Sequence, residues 1–518
     1  MKRKSMPIAG VTAAAVAAAV LAGCSDSSGE ASNAPVSIRL YDQIGSLDPA
    51  LTAGGPGYQM SMFLYDRLVL VQDDEIVPYV AESWESTPLA VTFTIRDGVT
   101  CDDGSLLTAS AVEASLERAL DPATKSPLAA GILPSGTTFA SDDATRTVTV
   151  TAERPDAALV LSFANPVLSI VCPAGLKNPE ELASRSFGTG PYTLGESVTG
   201  TSYALTKRDD YTWGPVGSDG AARPASVTAE VLSNETTAAN VFLQGKLDLI
   251  SATSQGAVER LRGSGAEETA VPNAFAFVLF NQASPVGADP VVRAAVAHAI
   301  DPAAYAIAVQ GDVASPSPNL LASEATICAQ TEGDVHRPAF DPEKARRVLE
   351  GDGWRQASSG TFEKNGEPLR IRVGSHNQEG SAGAYLAQTL KDLGATVEAT
   401  EVELPAYIET LQQGDWDVFA ATIISLDAPA PLGQSLFGPE GLDLGQIRND
   451  EFSQAMTEAS SAAAFEESCE LWKDAQDRLV ESVDVVPEAH MNLVYFANDV
   501  TFDVGYAGLV EPTTLARR

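Results

Sequence analysis

The sequence is short of positive charge and of the side chains that most often bind metals. It has 33 Lys and Arg against 69 Asp and Glu, a formal net charge of −36, and 4 His and 5 Cys among 518 residues. An acidic surface repels phosphate backbones, so we expect no nucleic-acid partner. The same acidity favours cationic ligands, although it also keeps an extracellular protein soluble.

Sequence patterns of catalysis are missing as well. HExxH, GxSxG and paired-Cys metal motifs do not occur, and the four His (His298, His336, His376 and His490) are far apart in the chain. We therefore expect no catalytic residue, no metal site and no cofactor, so the protein is predicted not to be an enzyme. A hydrolase is the alternative, which turnover of a peptide or glycoside would support.

Long apolar runs are absent beyond the first residues. A basic start precedes the Ala- and Val-rich stretch 11–21, which is short for a membrane span and typical of a secretory signal. It ends on Leu21-Ala22-Gly23-Cys24, which resembles the lipobox of bacterial lipoproteins. The resemblance implies a signal peptide over 1–23 and lipidation of Cys24, with several acyl chains holding the protein at the outer face of the cytoplasmic membrane. An ordinary secreted protein is the alternative.

Residues 24–34 are small and polar, which predicts a flexible tether. Strand-like and helix-like segments then alternate. Val36–Leu40 alternates as a half-buried strand, residues 57–71 have helical apolar spacing, and Val418–Ile424 is apolar enough for a buried strand. Asp289-Pro290 should open a helix, with Pro in the first turn. Such alternation predicts α/β lobes.

Short motifs also follow one another in a fixed order along the chain. They include SLDPA at 46–50, PYVAESW at 78–84, GTGPY at 188–192, QGKLD at 244–248 and FDPEKA at 340–345. Together they resemble the extracytoplasmic solute-binding proteins of ABC importers, family 5, the oligopeptide, dipeptide and nickel-binding class. The resemblance covers nearly the whole mature chain.

The resemblance implies an α/β, two-lobed periplasmic-binding-protein-like fold (class II, cluster C) with an extra subdomain in the first lobe. Mapped onto this chain, lobe I comprises residues 35–70, 187–275 and 488–518. The inserted subdomain is 71–186, and lobe II is 276–487. Ligand is expected between the lobes, which close on it.

The lobes also guide the expected disulfides. Four Cys remain besides Cys24, and an oxidising compartment favours their pairing. Of the three possible connectivities we prefer Cys101–Cys172 and Cys328–Cys469, because each pair then lies within one lobe of the implied fold. Four buried thiols are the alternative.

The function that the resemblance implies is lipid-anchored capture of a peptide or similar small organic solute, followed by delivery to an ABC permease. The importer's ATPase would supply the energy, and we expect the binding protein to be a monomer. A carrier of a metal chelate or haem on the same fold, and a ligand sensor without transport, remain alternatives.

The resemblance also suggests ligand-binding residues. Asp427, shortly after the apolar strand that follows Trp416-Asp417, corresponds to the family's Asp that pairs with a peptide ammonium, and Ser425 lies beside it. Asn281 follows a strand that we expect to cross into lobe II, and Tyr58 follows a Gly-rich loop. Each has a simpler alternative: a capping or solvated loop Asp, a turn-forming Asn and a plain loop.

Overall fold

The structure, a computed structural model, describes residues 33–518 except 53, 73–74, 216–222, 318, 321–326, 329–336, 378, 404–405, 425–432, 434–435 and 439–441. The expected signal peptide 1–23, Cys24 and most of the tether 24–34 lie outside the described residues. The same holds for Ser425 and Asp427.

The strands, in chain order, are β1 (Val36–Leu40), β2 (Val69–Gln72), β3 (Glu75–Pro78), β4 (Ala81–Thr87), β5 (Ala90–Ile95), β6 (Thr138–Asp142), β7 (Thr147–Thr151), β8 (Tyr192–Val198), β9 (Ser202–Lys207), β10 (Ser226–Val231), β11 (Leu249–Ala252), β12 (Glu267–Phe280), β13 (Ser315–Pro316), β14 (Arg355–Gln356), β15 (Phe362–Lys364), β16 (Glu367–Pro368), β17 (Arg370–His376), β18 (Thr396–Val402), β19 (Val418–Ile424), β20 (Val485–Ala497), β21 (Val500–Thr501) and β22 (Ala516–Arg517).

The α-helices are α1 (Gly55–Leu64), α2 (Ala109–Leu120), α3 (Ala129–Ile132), α4 (Pro173–Lys177), α5 (Glu235–Leu243), α6 (Gln255–Arg262), α7 (Pro290–Ala299), α8 (Pro302–Gln310), α9 (Pro342–Gly351), α10 (Ala382–Leu393), α11 (Tyr407–Gln413), α12 (Asp450–Ser461) and α13 (Phe465–Glu481). As predicted, α7 begins at Asp289-Pro290, and the Asp289 side chain accepts a hydrogen bond from the Val291 N–H.

One large sheet runs through both halves of the described chain. Its order is β18-β17-β19-β12-β20-β11-β1-β10-β9-β8, with β13 paired to β20. The long antiparallel strands β12 and β20 stand at its centre and pair along most of their length. On one side β20 pairs with β11, and on the other β12 pairs with β19. The two central strands therefore cross from one half of the fold to the other.

A separate antiparallel sheet, β4-β5-β7-β6, belongs to the segment expected as the inserted subdomain. Its strand β5 alternates buried and half-exposed residues, which places one face against the core. Helix α2 packs over it, with Thr108 accepting a hydrogen bond from the Ala111 N–H at the helix start.

Buried apolar side chains form separate cores on the two sides of the crossing. One cluster fills the lobe I side and the inserted subdomain, with Phe63, Phe93 and Phe163 fully buried. Two further clusters cover the sheet on the lobe II side, one around Tyr305 and one around Trp472. Each side thus has its own hydrophobic support.

Asp66 connects three separate segments of the chain. Its fully buried carboxylate accepts hydrogen bonds from the hydroxyls of Tyr79 (2.6 Å) and Tyr211 (3.2 Å) and from the indole N–H of Trp213 (2.8 Å). Burial raises the pKa of this carboxyl, and the three donors favour its charged form. Here α1 has ended at Leu64, so the helical spacing predicted over 57–71 is wrong beyond that residue.

The structure contains two disulfides. Cys101 is bonded to Cys172 and Cys328 to Cys469, which is the connectivity preferred in the sequence analysis. The first bond lies within the inserted subdomain. The second ties the segment after β13 to the second turn of α13.

In the part of the chain that the structure describes, no single helix is long and apolar enough to cross a membrane. The bent pair 290–299 and 302–313 meets that test by length and composition, with a 74° break between its members.

Candidate functional site

The carboxyl ends of parallel strands in both lobes meet at the crossing strands. On the lobe I side β1 is parallel to β10 and β11, and the last residue of β11, Ala252, pairs with Val494 of β20. On the lobe II side β17 is parallel to β18 and β19, and the last residue of β19, Ile424, pairs with Ala274 of β12. Crevices at such ends are where α/β folds bind ligands.

Half-exposed residues mark this point on the crossing strands themselves. Residues 272–274 of β12 and 490–492 of β20 are partly accessible, whereas the strand segments on the lobe II side of them are buried. The pairing register shifts between Pro272 and Ala274. The extra residue, Asn273, donates a hydrogen bond from its side-chain amide to the Ala507 carbonyl (2.8 Å). The floor of the cleft is therefore a bulged two-stranded ribbon.

His490 is the imidazole of this floor. Its Nε2 lies 2.6 Å from the Ser317 hydroxyl, and its ring meets the Phe275 ring edge-on at 5.0 Å. Burial lowers the pKa of His490 to about 4. The imidazole is therefore neutral at physiological pH and can accept a hydrogen bond or bind a metal ion.

Direct hydrogen bonds link the lobes beside the floor. Gln310, at the end of α8, donates from its amide to the carbonyls of Thr253 (2.9 Å) and Asn492 (2.7 Å) and accepts from the Asn492 N–H. Arg262 of α6 forms an ion pair with Asp312 at 3.2 Å. These contacts hold one side of the crossing together.

A buried polar cluster stands at the cleft edge of lobe II. The Nε2 atom of His376, the last residue of β17, lies 2.9 Å from the carboxylate of Glu379 and 2.7 Å from the Thr422 hydroxyl. The side chain of Glu379 is 1% exposed, and burial raises its pKa to about 7. Tyr407 packs its ring on His376 with centroids 4.5 Å apart.

Tyr58 lies in the first turn of α1 and not in a loop, and a ligand contact by Tyr58 stays a prediction. Its ring is 6% exposed and meets the Tyr506 ring edge-on at 5.7 Å. Tyr506 in turn accepts a hydrogen bond from the Asn165 amide at 2.9 Å. Gln59 exchanges two hydrogen bonds with the backbone of Val510. The C-terminal segment is thereby fixed against α1.

Asn281 is placed at the far end of β12, away from the crossing. Its amide donates to the carbonyls of Gly414 (2.8 Å) and Trp416 (3.0 Å), and its side-chain oxygen accepts from the Ala283 N–H. These hydrogen bonds are typical of an Asn that forms a turn, which was the alternative to a ligand contact. A ligand contact by Asn281 stays a prediction.

Ser425 and Asp427 follow β19 directly in the sequence but lie outside the described residues. Their neighbour Ile424 is 44% exposed at the crossing. Sequence reasoning gave no role to Asn273 or Gln310, because nothing local marks a bulge or an interlobe bond. Among the described residues, His, Cys, Asp and Glu do not gather in groups of three or more that could hold a metal ion.

Sequence comparison finds similarity to bacterial solute-binding proteins. A model of the bacterial extracellular solute-binding proteins, family 5 Middle, matches residues 75–440. The chain is 24% identical over 475 residues to the periplasmic murein peptide-binding protein MppA of Escherichia coli strain K12, covering 86% of each chain.

Solved structures share the fold. A substrate-binding protein from Microbacterium hydrocarbonoxydans in complex with 4-hydroxybenzoate hydrazide matches with a TM-score of 0.74 and 25% identity, covering 94% of this chain and 100% of that one. NikA from Brucella suis in complex with Fe(III)-EDTA matches with a TM-score of 0.80 and 22% identity, covering 93% and 100%. The two-lobed α/β fold expected from the sequence is confirmed.

Proposed function

Because the chain belongs to the bacterial extracellular solute-binding proteins of family 5, we propose that it captures a peptide or similar small organic solute between its lobes and delivers it to an ABC permease. As a family member it is a substrate-binding protein of an ABC importer and works outside the cytoplasm.

One observation carries the proposal. The carboxyl ends of the parallel strands of both lobes meet at the half-exposed ribbon 272–274 and 490–492. A ligand there would touch both lobes at once and would favour their approach. The similarity to a murein peptide-binding protein supports a peptide as cargo.

A metal chelate is the second candidate. The neutral imidazole of His490 at the cleft floor is the form that binds metals, and a structural neighbour holds Fe(III)-EDTA. Such a ligand would arrive with its metal already enclosed by the chelator, and His490 would need to supply one further bond.

We also propose the division of the chain into lobe I (35–70, 187–275 and 488–518), the inserted subdomain (71–186) and lobe II (276–487). The bulge at 272–274 and the facing residues 490–492 support crossings near those boundaries. Within lobe II we propose Ser425 and Asp427 as ligand contacts, and Tyr58 within lobe I.

Lipid attachment at Cys24 is a further part of the proposal, supported by the Leu21-Ala22-Gly23-Cys24 sequence. It would keep the monomer at the outer face of the membrane, beside the permease. Expression of the full chain with a Cys24→Ala variant as control tests it. Detergent-phase partition of the parent chain and aqueous partition of the variant are expected, and equal partition would contradict lipidation.

A thermal-shift screen tests the cargo. The protein over residues 35–518 is heated with di- to pentapeptides, oligosaccharides, polyamines, opines and nickel chelates. A ligand at 100 times its dissociation constant stabilises by about 2.7 kcal/mol, which raises the unfolding midpoint visibly. A shift with peptides supports the proposal, whereas a shift with chelates alone favours the second candidate.

A further inference from the structure

A groove lies between the inserted subdomain and lobe II. It has a volume of about 650 Å³, within the range of small-molecule sites. Its subdomain wall includes Trp84 of β4 together with Asp156, Ala157, Leu159 and Val160. Its lobe II wall includes Phe465 at the start of α13 and the Cys328–Cys469 disulfide. The ribbon residues of the cleft floor are not among its lining residues.

The two walls already touch. The Ala157 N–H donates to the Ser460 carbonyl at 3.0 Å. Ile327, next to the disulfide, is 4% exposed and belongs to the hydrophobic cluster that contains Leu159 and Val160 of the subdomain. Phe465 packs against the same cluster. A molecule in the groove would therefore contact both walls.

The charged side chains among the residues that line the groove are all acidic. Its charged lining residues are Glu75, Asp156, Glu466 and Glu470, and none of the described residues that line it is Lys, Arg or His. Glu470 is paired with Lys473 at 2.8 Å. The other three carboxylates make no ion pair within the described residues.

Asp156 is the most enclosed of these carboxylates. Its Oδ1 accepts a hydrogen bond from the Ala158 N–H (2.9 Å), and burial raises its pKa above the usual range. An ammonium or guanidinium group would compensate this charge. The half-buried indole of Trp84 can bind a cation through its ring or pack against an apolar body.

We propose that this groove is a second binding site, for a small organic cation with an apolar body, held by Asp156 and Trp84 and in contact with both the subdomain and lobe II. The site is separate from the cleft at the crossing strands. Its occupant would strengthen the contact between subdomain and lobe II, and so favour the closed arrangement.

The probes are phenethylamine and its neutral analogue 2-phenylethanol, with binding measured by calorimetry on the protein of residues 35–518. We expect phenethylamine to bind and 2-phenylethanol to bind at least about tenfold more weakly, because the charge-assisted contact is lost. The Asp156→Asn variant should bind phenethylamine about tenfold more weakly than the parent protein. Glu466→Gln should weaken it less, since that carboxylate is exposed.

Glu398→Gln is the matched control, an exposed carboxylate on β18 outside the groove. It should leave phenethylamine binding unchanged. Because burial raises the pKa of Asp156, cation binding to the parent protein should release protons at acidic pH, and Asp156→Asn should remove that release. Three results would overturn the proposal. The first is no binding of phenethylamine at millimolar concentration. The others are a loss of affinity in Glu398→Gln equal to that in Asp156→Asn, or parent-like affinity in both Asp156→Asn and Glu466→Gln.

Discussion

Gly190 stands directly against the backbone of Leu64. A Cβ atom on Gly190 would lie 2.4 Å from the Leu64 carbonyl carbon, and one on Gly188 would lie 2.1 Å from the Leu64 oxygen. Neither glycine has a positive φ. The GTGPY segment therefore needs glycine for close approach of two backbones at the end of α1.

Gly190→Ala is expected to destabilise the protein by about 2 kcal/mol or more, because backbone cannot yield as a flexible side chain can. Urea unfolding measures it. Gly256→Ala in α6 is the matched control, since a Cβ there meets nothing within 4 Å. The control should stabilise by about 0.5–1 kcal/mol. Equal stability of the two variants would contradict this account.

Asp66→Ala should destabilise by about 3 kcal/mol or more, because it leaves the buried donors of Tyr79, Tyr211 and Trp213 without their acceptor. Tyr79→Phe, which removes one donor and keeps the carboxylate, should cost about 1–2 kcal/mol. Denaturant unfolding of both variants provides the comparison. An Asp66→Ala variant no weaker than Tyr79→Phe would show that the three donors do not depend on this carboxylate.

His490 should make stability fall in acid. Its pKa is lowered to about 4 in the folded protein from 6.5, so the unfolded chain takes up the proton first as pH falls. The stabilisation is complete above pH 6.5 and is lost as pH falls toward 4. His490→Gln should remove this fall in stability, which the shift from 6.5 to about 4 sets at about 3 kcal/mol. An imidazole of His490 that titrates near 6.5 by NMR would disprove the argument.

The Cys328–Cys469 bond should contribute about 5 kcal/mol in the chain-entropy model, since it closes a separation of 141 residues. A Cys328→Ser, Cys469→Ser double variant should unfold at a lower urea concentration than the parent. Reducing agent should shift the parent further than this variant, which retains Cys101–Cys172. If reduction shifts both equally, the bond adds no stability.

Asp427→Ala should weaken a proven amine-bearing cargo by about 10–100-fold if this carboxylate pairs with the ligand ammonium. Asp415→Ala is the control, because Asp415 is in the same lobe with a side chain that is 93% exposed. Calorimetry with the ligand found in the thermal-shift screen measures the affinity of both variants. Unchanged affinity in Asp427→Ala would remove this residue from the site and leave the importer role intact.

Local patterns were sufficient for several elements. Val36–Leu40 and Val418–Ile424 are strands with the predicted bounds. The alternation in Val36–Leu40 predicts a half-buried strand, but the strand is buried except at Ser37, because β10 and β11 flank it and Arg39 donates to the carbonyls of Leu232 and Ser251. The helix over 57–71 was wrong past Leu64. There the approach of Gly188 and Gly190 and the burial of Asp66 override helical spacing, and neither is visible nearby in the sequence.

The cleft could not be assembled in the same way. Its floor pairs Pro272 with Asn492 and Ala274 with Met491, more than 200 positions later. Asn281 is a second example. Its residue type predicts a polar contact, but its partners, the carbonyls of Gly414 and Trp416, are more than 130 positions away in the chain. Spacing along the chain carries no information about such partners.

The crossing ribbon also has a mechanical consequence. Between Val271 and Asn273 on β12, and between Met491 and Leu493 on β20, the two strands pair with no third strand among the described residues. Rotation of one lobe against the other would therefore twist this narrow, two-stranded strip without breaking the hydrogen bonds between β12 and β20. Two-stranded ribbons twist more readily than wide sheets. Closure of the lobes on a ligand would therefore twist this strip, and the free energy of that twist would be subtracted from the free energy of binding.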